Sequence, residues 1–365
     1  MKYYKLNDLC REIIDCPHST PAWRDEGIRV VRNFNLKNGN LDFSDGYFVD
    51  EETYINRIKR AVPEEDDIII SREAPMGVVA IVPKGLKCCL GQRLVLLKID
   101  KKKVKPIYLL FILMSDFVQT QFKRADATGS IVSNLCIPDL KDIIIPVIEE
   151  GQENVAKLLS DINEKIMINK RINDNLQQMA FTEYMHMFHG KKSNAKLGDI
   201  IVEHPKSTIQ VGDAKNTEGS IPFFTSGDTI LKWFDFLVSG RNCYLNTGGN
   251  AGVKFYVGKS AYSTDTWCIT ADNNLSDYLY MLLRSIEPEL NLKFFQGTGL
   301  KHLQKPLLKD RPIYIPSADE LLAFNNDVQP WLSMISDNIR ESEQLVLLRD
   351  WLLSMLMNGQ ASISD

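Results

Sequence analysis

The sequence lacks the features of membrane-spanning, secreted and disulfide-rich proteins. No apolar run approaches the roughly 18 residues that a bilayer span requires, and no apolar signal region precedes Asp8. The seven cysteines form no C-x-x-C pair, and no histidines stand at zinc-finger spacing. These absences predict neither a membrane span nor a secretory signal, and they indicate reduced thiols in a cytoplasmic protein.

Signatures of enzymes and metal sites are scarce as well. The chain has five histidines and no H-E-x-x-H motif, and the glycine-rich stretch TGGNAG (247–252) lacks the G-K-[ST] ending that engages a nucleotide phosphate. We therefore predict no catalytic residue, no metal site and no cofactor in this chain. The net charge is −4, from 43 Lys+Arg and 47 Asp+Glu, so any surface for a polyanion must be local.

A long helical pattern dominates the middle of the chain. No proline or glycine occurs between Gln152 and His189, and apolar residues recur there at steps of three and four. A helix from about Glu153 to Phe188 would be roughly 50 Å long at 1.5 Å per residue, which exceeds what a small domain needs. In the segment before it, the short apolar runs at 66–71, 77–82 and 93–99 predict strands.

The chain contains an internal repeat. Four segments of its first half recur in the second: KLNDLC (5–10) as KLGDII (196–201), SREAPMG (71–77) as NTGGNAG (246–252), ATGSI (127–131) as GTGLK (297–301), and DIIIP (142–146) as PIYIP (312–316). The helical stripe recurs at an offset of 173 residues together with its polar gap, Asn169 and Ser342. Any two amphipathic helices can be slid into agreement, but a shared polar gap and seven apolar pairs at one offset favour a true repeat.

The two stripes are predicted to pack against each other. The proposed seam consists of Val155, Leu159, Ile162, Ile166, Asn169, Ile172, Met179, Val328, Leu332, Ile335, Ile339, Ser342, Leu345 and Leu352. The pattern Ser317-Ala-Asp-Glu320 is a capping box that could start the second helix. Pro330 must then either kink that helix or mark a later start.

The predicted fold is α+β, with two similar mixed α/β domains separated by two long antiparallel, coiled-coil-like helices in a pseudo-two-fold repeat. The predicted boundaries are 1–148 for the first domain, 149–190 for the central spacer helix, 191–316 for the second domain, 317–360 for the C-terminal spacer helix and 361–365 for a tail. Two similar surfaces at a fixed spacing suit a DNA target with two half-sites.

Several of these motifs resemble the specificity subunit of type I restriction–modification enzymes. The resemblance covers residues 4–360, and its most specific parts are IPVIEEGQENVAKLLSDI (145–162) and LRDWLLSMLMNG (348–359). It implies that the globular domains are target recognition domains, each reading one half of a bipartite double-stranded DNA sequence in the major groove. The helices would set the spacer and dock two methyltransferase subunits. The stretch PSADELLAFNNDVQP (316–330) departs from the family's Pro-rich helix start.

The same resemblance implies a chain without catalytic activity. S-adenosylmethionine is then expected on the methyltransferase subunits, with ATP and Mg²⁺ on partner subunits of the full complex, which includes restriction subunits. A variant of this hypothesis is a recognition subunit that serves a methyltransferase without a nuclease partner. The alternatives are a two-headed protein-interaction scaffold without a nucleic-acid role and a stand-alone hydrolase or transferase.

Candidate DNA contacts are basic and polar side chains in loops, since phosphates take Lys and Arg while Arg and Asn read guanine and adenine edges. In the first domain they are Arg57, Lys59, Arg60, Arg72, Lys123, Arg124 and Ser130. In the second they are Lys232, Trp233, Arg241, Asn246, Asn250, Lys254, Lys301 and His302. Any one of them can equally be a solvated surface residue, and the run KKKVK (101–105) is better explained as a solvated turn.

Apolar residues near the helix ends exceed what one helix seam can bury. They are Met179, Tyr184, Met187, Phe188, Trp351, Met355 and Met357. We expect about half of them to pack between the helices and the rest to face helices of a partner.

Overall fold

The chain folds into two compact units. The computed structural model describes residues 1–44, 46–73, 75–126, 134–215, 217–297, 299 and 301–357. Unit 1 comprises Met1–Ile166 with Glu343–Asp365, and unit 2 comprises Met167–Ser342. The candidate Ser130 and the predicted loop at 127–131 lie outside the described residues, as does the side chain of Met357.

The first half of the chain is mixed α/β and ends in one long helix. Its strands are β1 (Lys2–Lys5), β2 (Cys10–Asp15), β3 (Ile28–Val31), β4 (Leu36–Lys37), β5 (Asn40–Leu41), β6 (Phe48–Val49), β7 (Ile68–Ser71), β8 (Val79–Ile81), β9 (Cys88–Leu90), β10 (Leu94–Ile99) and β11 (Ile144–Val147). Its helices are α1 (Leu6–Leu9), α2 (Glu51–Arg57), α3 (Pro106–Met114), α4 (Asp116–Asp126), α5 (Ile137–Asp142) and α6 (Gln152–Phe188), with a short 3₁₀ turn at Asn33–Asn35. The predicted strands at 66–71, 77–82 and 93–99 are confirmed as β7, β8 and β10.

The second half is also mixed α/β and also ends in one long helix. Its strands are β12 (Ala195–Lys196), β13 (Val202–Glu203), β14 (Ile221–Phe224), β15 (Leu231–Trp233), β16 (Arg241–Asn246), β17 (Val253–Val257), β18 (Ala261–Tyr262), β19 (Thr266–Thr270), β20 (Phe295–Gln296), β21 (His302–Leu303) and β22 (Pro312–Ile313). Its helices are α7 (Val211–Lys215), α8 (Ser276–Ser285), α9 (Glu287–Glu289), α10 (Lys305–Lys309) and α11 (Ala318–Met357). A 3₁₀ turn at Leu197–Asp199 and a π-helical turn at Leu290–Phe294 complete the half.

Three sheets have the same topology in both units, whereas among the described residues the hairpin β4–β5 occurs in unit 1 alone and the hairpin β20–β21 in unit 2 alone. A four-stranded sheet has the order β2–β10–β7–β8 in unit 1 and β13–β19–β16–β17 in unit 2. A three-stranded sheet has the order β6–β3–β9 in unit 1 and β15–β14–β18 in unit 2. Its central strand pairs with one neighbour in antiparallel and with the other in parallel orientation. A two-stranded sheet pairs β1 with β11 and β12 with β22. This correspondence confirms the internal repeat and the alignment of 71–77 with 246–252, since each segment joins equivalent strands.

The core of each unit lies between its four-stranded sheet and an apolar helix. In unit 1, α3 buries seven of its nine residues and packs with Ile68, Leu97 and Leu159 of β7, β10 and α6. In unit 2, α8 buries eight residues in a cluster with Ile269 and Val328. Helices that are apolar on nearly all sides are stable only inside such a core.

Segments of α6 and α11 contact each other within each unit. In unit 1, Arg349 Nη1 donates to Asn163 Oδ1 (3.3 Å). In unit 2, Asn169 Nδ2 donates to Ser342 Oγ (3.3 Å), and Asn338 Nδ2 donates to Asn173 Oδ1 (2.8 Å). The partner's residue number falls as the number along α6 rises, so the paired segments in unit 2 run antiparallel.

The seam differs from the prediction along the second part of α6. Ile172 and Met179 do not lie on it, because they are 37% and 47% exposed. The inward face instead continues from Asn169 through half-buried Asn173 to buried Ala180. The pattern of apolar residues failed here because polar side chains occupy the inward positions. Of the other proposed seam residues, Val155, Leu159, Ile162, Val328 and Leu332 are buried, and Ile166, Ile335, Ile339, Ser342, Leu345 and Leu352 are half-buried.

The capping box that was predicted for the second helix is present. The backbone N–H of Ser317 donates to Glu320 Oε2 (2.9 Å), and the backbone N–H of Glu320 donates to Ser317 Oγ (3.4 Å). Helix α11 begins at Ala318 and continues through Pro330. A later helix start at Pro330 is therefore wrong.

Candidate nucleic-acid interface

Each unit gathers four loops at one end of its sheets. In unit 1 they follow β3, β7 and β9 and precede α5, and in unit 2 they follow β14, β16 and β18 and lead into β21. We call these loops the strand-end clusters. They comprise residues 31–35, 71–73, 75–77, 91–93 and 134–135 in unit 1, and 224–229, 246–252, 263–266 and 301–303 in unit 2.

Main-chain hydrogen bonds hold the strand-end cluster of unit 1 together. The N–H of Gly91 donates to the carbonyl of Val31 (2.7 Å), and the N–H of Arg72 donates to the carbonyl of Arg93 (2.8 Å). The N–H of Leu135 donates in turn to the carbonyl of Arg72 (3.0 Å). Three bonds thus join four loops that are distant in the sequence.

Equivalent bonds hold the strand-end cluster of unit 2. Ser263 donates to Phe224 (2.9 Å), Thr247 to Asp265 (3.1 Å) and Leu303 to Thr247 (3.0 Å), all between main-chain atoms. The two clusters therefore share one backbone frame, and the residues that form these bonds have identifiable counterparts in the other cluster.

One side chain closes the loop after β7 and its counterpart after β16. Ser71 Oγ donates to the carbonyl of Pro75 (2.6 Å) and accepts from the N–H of Val78 (3.0 Å). At the equivalent position, Asn246 Nδ2 donates to the carbonyl of Asn250 (3.1 Å). Asn246 is buried, so it shapes the loop from inside and leaves the exposed Asn250 as the amide that can reach a ligand.

The Arg72 side chain supports the strand-end cluster of unit 1. Its guanidinium donates to the carboxylate of Asp15 (2.9 Å), the carbonyl of Leu135 (3.0 Å) and Oδ1 of Asn134 (3.2 Å), and only 13% of the side chain is exposed. Arg60 lies beside it, because its Nη1 donates to the carbonyl of Asp15 (3.3 Å). Both arginines are predicted DNA contacts, and the donors of Arg72 are largely used within the fold.

Other predicted residues of unit 1 lie around the same cluster. Lys123 and Arg124 are exposed in the last turn of α4, and Gln119 of that helix donates to the carbonyl of Gly77 (3.0 Å) in the cluster. Gly77 has φ +80°, and a Cβ there would come within 2.9 Å of the Phe122 ring, so this close approach requires glycine. Lys59 is exposed just after α2.

The structure brings together three predicted residues of unit 2. The N–H of Gly249 donates to the carbonyl of Lys301 (2.9 Å), and Gly248 forms a bridge with His302. Asn250, Lys301 and His302 are all exposed. An amide, an ammonium and an imidazole therefore share one loop surface, which can offer hydrogen bonds to base edges and charge to phosphates.

Lys254 fastens a neighbouring loop of unit 2 from inside. Its Nζ donates to the carbonyls of Thr225 and Gly227 (2.6 Å each). Burial lowers the pKa of Lys254, and the nearby charge of Asp228 opposes this shift. Since both carbonyls are held within the fold, Lys254 supports the cluster more than it presents a free charge.

Lys232 and Trp233 lie away from the strand-end cluster. They belong to β15 at the edge of the three-stranded sheet and are half-buried. The Trp233 ring packs against Phe223 (5.9 Å between ring centres) and Phe234 (4.4 Å). This placement assigns Trp233 to packing of the sheet.

Two predicted DNA contacts are structural arginines. Arg57 is buried, and its guanidinium donates to the carbonyls of Leu90 (2.8 Å) and Ser19 (2.9 Å). Arg241 Nε lies 2.7 Å from the carboxylate of the fully buried Asp277. Burial raises the pKa of Asp277, while the Arg241 charge opposes the rise. Both arginines therefore donate to acceptors within the fold, and their role as DNA contacts stays a prediction.

Sequence reasoning missed Arg32 and Arg93 in the unit 1 cluster. The Arg32 guanidinium lies 4.5 Å from the centre of the Tyr47 ring. Arg93 adopts φ +66°, and its Nε is 3.2 Å from the carboxylate of Glu73. Ungapped extension of the 71–77 alignment would pair Arg93 with Cys268. The correspondence of Arg93 with Asp265 comes from the main-chain bonds of the fold, so no signal in the sequence indicated it.

Among the residues that the structure describes, no three or more His, Cys, Asp or Glu side chains are grouped so that they could hold a metal ion. Within the same residues, no helix is both long and apolar enough to span a bilayer. All seven cysteines are free thiols, and Cys136 alone among them is exposed.

Comparisons with known proteins give a consistent result. The chain is 23% identical over 375 residues to the type I restriction enzyme MjaIX specificity subunit of Methanocaldococcus jannaschii, covering 86% of this chain and 85% of that protein. It is also 23% identical over 226 residues to the putative type I specificity subunit S.MpnORF638P of Mycoplasma pneumoniae, covering 57% of this chain and 53% of that one.

Its fold is similar to the crystal structure of the type I restriction-modification system S subunit from M. genitalium. The TM-score is 0.60 at 14% identity, with 100% of this chain and 96% of that chain covered. Residues 2–178 and 191–329 match the family described as Type I restriction modification DNA specificity domain. Because these matches fill most of both halves, the chain belongs to the type I restriction-modification DNA specificity family and carries its domain twice.

Proposed function

We propose that this chain is the DNA-recognition subunit of a type I restriction–modification complex, and that each strand-end cluster contacts one half of a bipartite target in the major groove. The observation that carries the proposal is the shared backbone frame of the two clusters, which bears different side chains in each unit. Equivalent frames dock in equivalent ways, whereas different side chains read different bases. Membership in a DNA specificity family favours this function over a scaffold without a nucleic-acid role.

Local charge supports DNA contact despite the net charge of −4. Lys59, Lys123 and Arg124 are exposed in unit 1, and Lys301 is exposed in unit 2. Flexible exposed cations of this kind suit phosphate oxygens, which fix position without reading sequence. The exposed amide of Asn250 suits an adenine edge.

The long helices are proposed to set the spacer and to dock two methyltransferase subunits. Both carry large apolar side chains that the fold leaves exposed, among them Ile172 and Met179 of α6 and Met334, Leu347 and Trp351 of α11. Of the residues predicted near the helix ends, Tyr184 and Phe188 are instead buried in the core of unit 2. Partners with apolar helices of their own would cover the exposed set.

The chemistry of the complex is proposed to reside on the partners. In the family that this chain resembles, S-adenosylmethionine belongs to the methyltransferase subunits, and ATP and Mg²⁺ belong to partner subunits of the full complex, which includes restriction subunits. This chain would then be non-catalytic and would supply position and sequence selectivity. A methyltransferase complex without a nuclease would use the same surfaces.

Methylome sequencing of cells with and without the gene tests the function. A methylated bipartite motif with a fixed gap should vanish on deletion and return on complementation. An unchanged methylome would instead indicate a protein scaffold, provided that the purified complex also shows no salt-sensitive binding to DNA.

A further inference from the structure

The two strand-end clusters differ in charge at equivalent positions. The shared main-chain bonds pair residue 31 with 224, 72 with 247, 91 with 263 and 93 with 265. By continuation of the chain, position 32 pairs with 225 and 92 with 264. The resulting pairs are Arg32 with Thr225, Arg72 with Thr247, Gln92 with Thr264, and Arg93 with Asp265. Unit 1 thus has three arginines where unit 2 has two threonines and an aspartate.

Three aromatic rings surround the guanidinium of Arg32. Its guanidinium carbon lies 4.5 Å from the ring centre of Tyr47, 4.9 Å from that of Phe34 and 5.5 Å from that of Trp23. Among the described residues, no ion pair or hydrogen bond uses its side-chain N–H groups. Stacking engages the faces of the guanidinium and leaves its in-plane donors available.

Arg93 extends the same surface. It follows Gly91, whose N–H is bonded to the residue before Arg32, and a Cβ on Gly91 would lie 3.2 Å from Cγ of Arg32. Arg93 has the left-handed φ of +66°, which a non-glycine residue adopts at an energetic cost. Its side chain remains 54% exposed despite the pairing with Glu73.

We propose that Arg32 and Arg93 read guanine in the half-site contacted by unit 1, and that unit 2 reads its half without arginine at the equivalent positions. The inference rests on the proposed function and adds a base identity to it. A planar guanidinium matches O6 and N7 of guanine through two parallel hydrogen bonds, whereas a phosphate requires only charge. The rings hold the plane of Arg32 in advance, which suits recognition of a base edge more than a phosphate contact.

The test compares Arg32→Lys, Arg93→Lys and Arg29→Lys in cells carrying the complete system, with methylome sequencing as readout. Lysine keeps the positive charge but loses both the paired donors and the planar stacking, and the Arg29→Lys control accounts for the lost stacking. Arg29 is the matched control, because it also lies over aromatic rings (4.9 Å from the Phe43 centre) but stands near the start of β3. For Arg32→Lys and Arg93→Lys we expect one guanine of one half-site to become degenerate, with discrimination falling roughly 5- to 150-fold. The other half-site, the gap and the Arg29→Lys motif should stay unchanged.

Several outcomes would overturn the proposal. They are an unchanged motif in both variants, a uniform loss of methylation at all sites as expected for phosphate contacts, and a parent motif with no guanine in the affected half. If Arg32→Lys fails to assemble with its partners, Arg93→Lys decides, and failure of both would assign these arginines to the fold. A motif that depends on the gene but ignores both variants would refute this inference and leave the proposed function standing.

Discussion

Asn169 donates a hydrogen bond to the hydroxyl oxygen of Ser342 over 3.3 Å, although 173 residues separate the two in the chain. They are equivalent residues of the repeat, so the polar gap in one helix bonds to the polar gap in the other. Asn169 Nδ2 also donates to the carboxylate of Glu341 (2.7 Å), and its buried Oδ1 has no partner among the described residues. A polar contact inside an apolar seam fixes the register of paired helices at some expense of stability.

A double-mutant cycle measures this contact. Asn169→Ala should lower the free energy of unfolding by about 1.5–3 kcal/mol, because it removes a hydrogen bond to a charged acceptor. Ser342→Ala should lower the free energy of unfolding by about 0.5–1.5 kcal/mol. The double variant should lose less than the sum of the two single-variant losses. Urea unfolding followed by circular dichroism is the measurement, and Asn326→Ala, at an exposed position of α11, is the control with a change within about 0.5 kcal/mol. Strict additivity would mean that the two side chains do not interact energetically.

The spacer role predicts that shortening both helices shortens the DNA gap. Removing residues 164–167 together with 344–347 takes about one turn from each helix, roughly 6 Å, and keeps Asn163 with Arg349 and Asn169 with Ser342. At about 3.4 Å per base pair, the non-specific gap should shrink by about two base pairs while both half-sites persist. Methylome sequencing reads both quantities. Removal of 164–167 alone is the control, because it puts the facing side chains out of register. An unchanged gap in the paired deletion would refute the spacer role.

Partner docking predicts a specific loss on α11. Trp351 and Leu347 are 56% and 69% exposed, and replacing both by serine should weaken binding of the methyltransferase by roughly 30-fold or more, since buried interface anchors commonly contribute about 2 kcal/mol or more. Co-purification and titration with the methyltransferase are the measurements. Leu292→Ser is the control, because Leu292 is 83% exposed but lies outside the long helices. Equal binding by all variants would place the docking surface elsewhere.

Arg241 is expected to matter for folding and not for the DNA motif. Arg241→Met leaves the buried Asp277 carboxylate without its partner and should cost about 3–5 kcal/mol, whereas adding Asp277→Leu should restore most of the stability. Burial raises the pKa of Asp277, so without Arg241 the ionised form destabilises the fold at neutral pH. The loss of unfolding free energy in Arg241→Met should therefore become smaller as the pH falls through the raised pKa of Asp277, which unfolding measured over a series of pH values can follow. A stable Arg241→Met with an altered methylation motif would show that Arg241 reads DNA after all.

The cap of α11 predicts a second pH dependence. The Lys191 ammonium, the Ser317 N–H and the Tyr314 hydroxyl hydrogen-bond to Glu320 and lower its pKa from 4.5 to about 2. The ionised Glu320 carboxylate stabilises the cap fully above the pKa of the unfolded state, and this stabilisation disappears as the pH falls through about 2. At pH 6, the backbone amide hydrogens at 318–322 should therefore exchange with solvent faster in Glu320→Gln than in the parent. The ratio of the two exchange rates should shrink toward pH 3. A ratio independent of pH would mean that the carboxylate charge does not stabilise the cap.

Features with a local cause were predictable from the sequence. The repeat, the long helix from Gln152 and the capping box at Ser317 follow from spacing and propensity within short segments. The second half of the α6 seam was not predictable from apolar spacing, because Asn173 and Asn169 face inward through hydrogen bonds to a helix more than 160 residues away.

The arginines show the same limit at the candidate site. The residues next to Arg241 and Arg57 in the sequence do not indicate the buried hydrogen-bond acceptors of these arginines, because the acceptors belong to distant segments. Arg32 was overlooked because its guanidinium is positioned by the Tyr47 ring, which only the folded chain brings next to it. Loop position and charge alone cannot separate an arginine that supports the fold from one that is available to a ligand.

The bonds that frame the two strand-end clusters run between main-chain atoms. Substitution of a residue in these loops leaves such bonds in place unless proline removes the donor. Mutations at loop positions whose side chains do not support the fold can therefore accumulate at little cost to stability, and each affects one unit alone. A gene built in this way can acquire a new specificity for half of its target in few steps while its assembly stays unchanged.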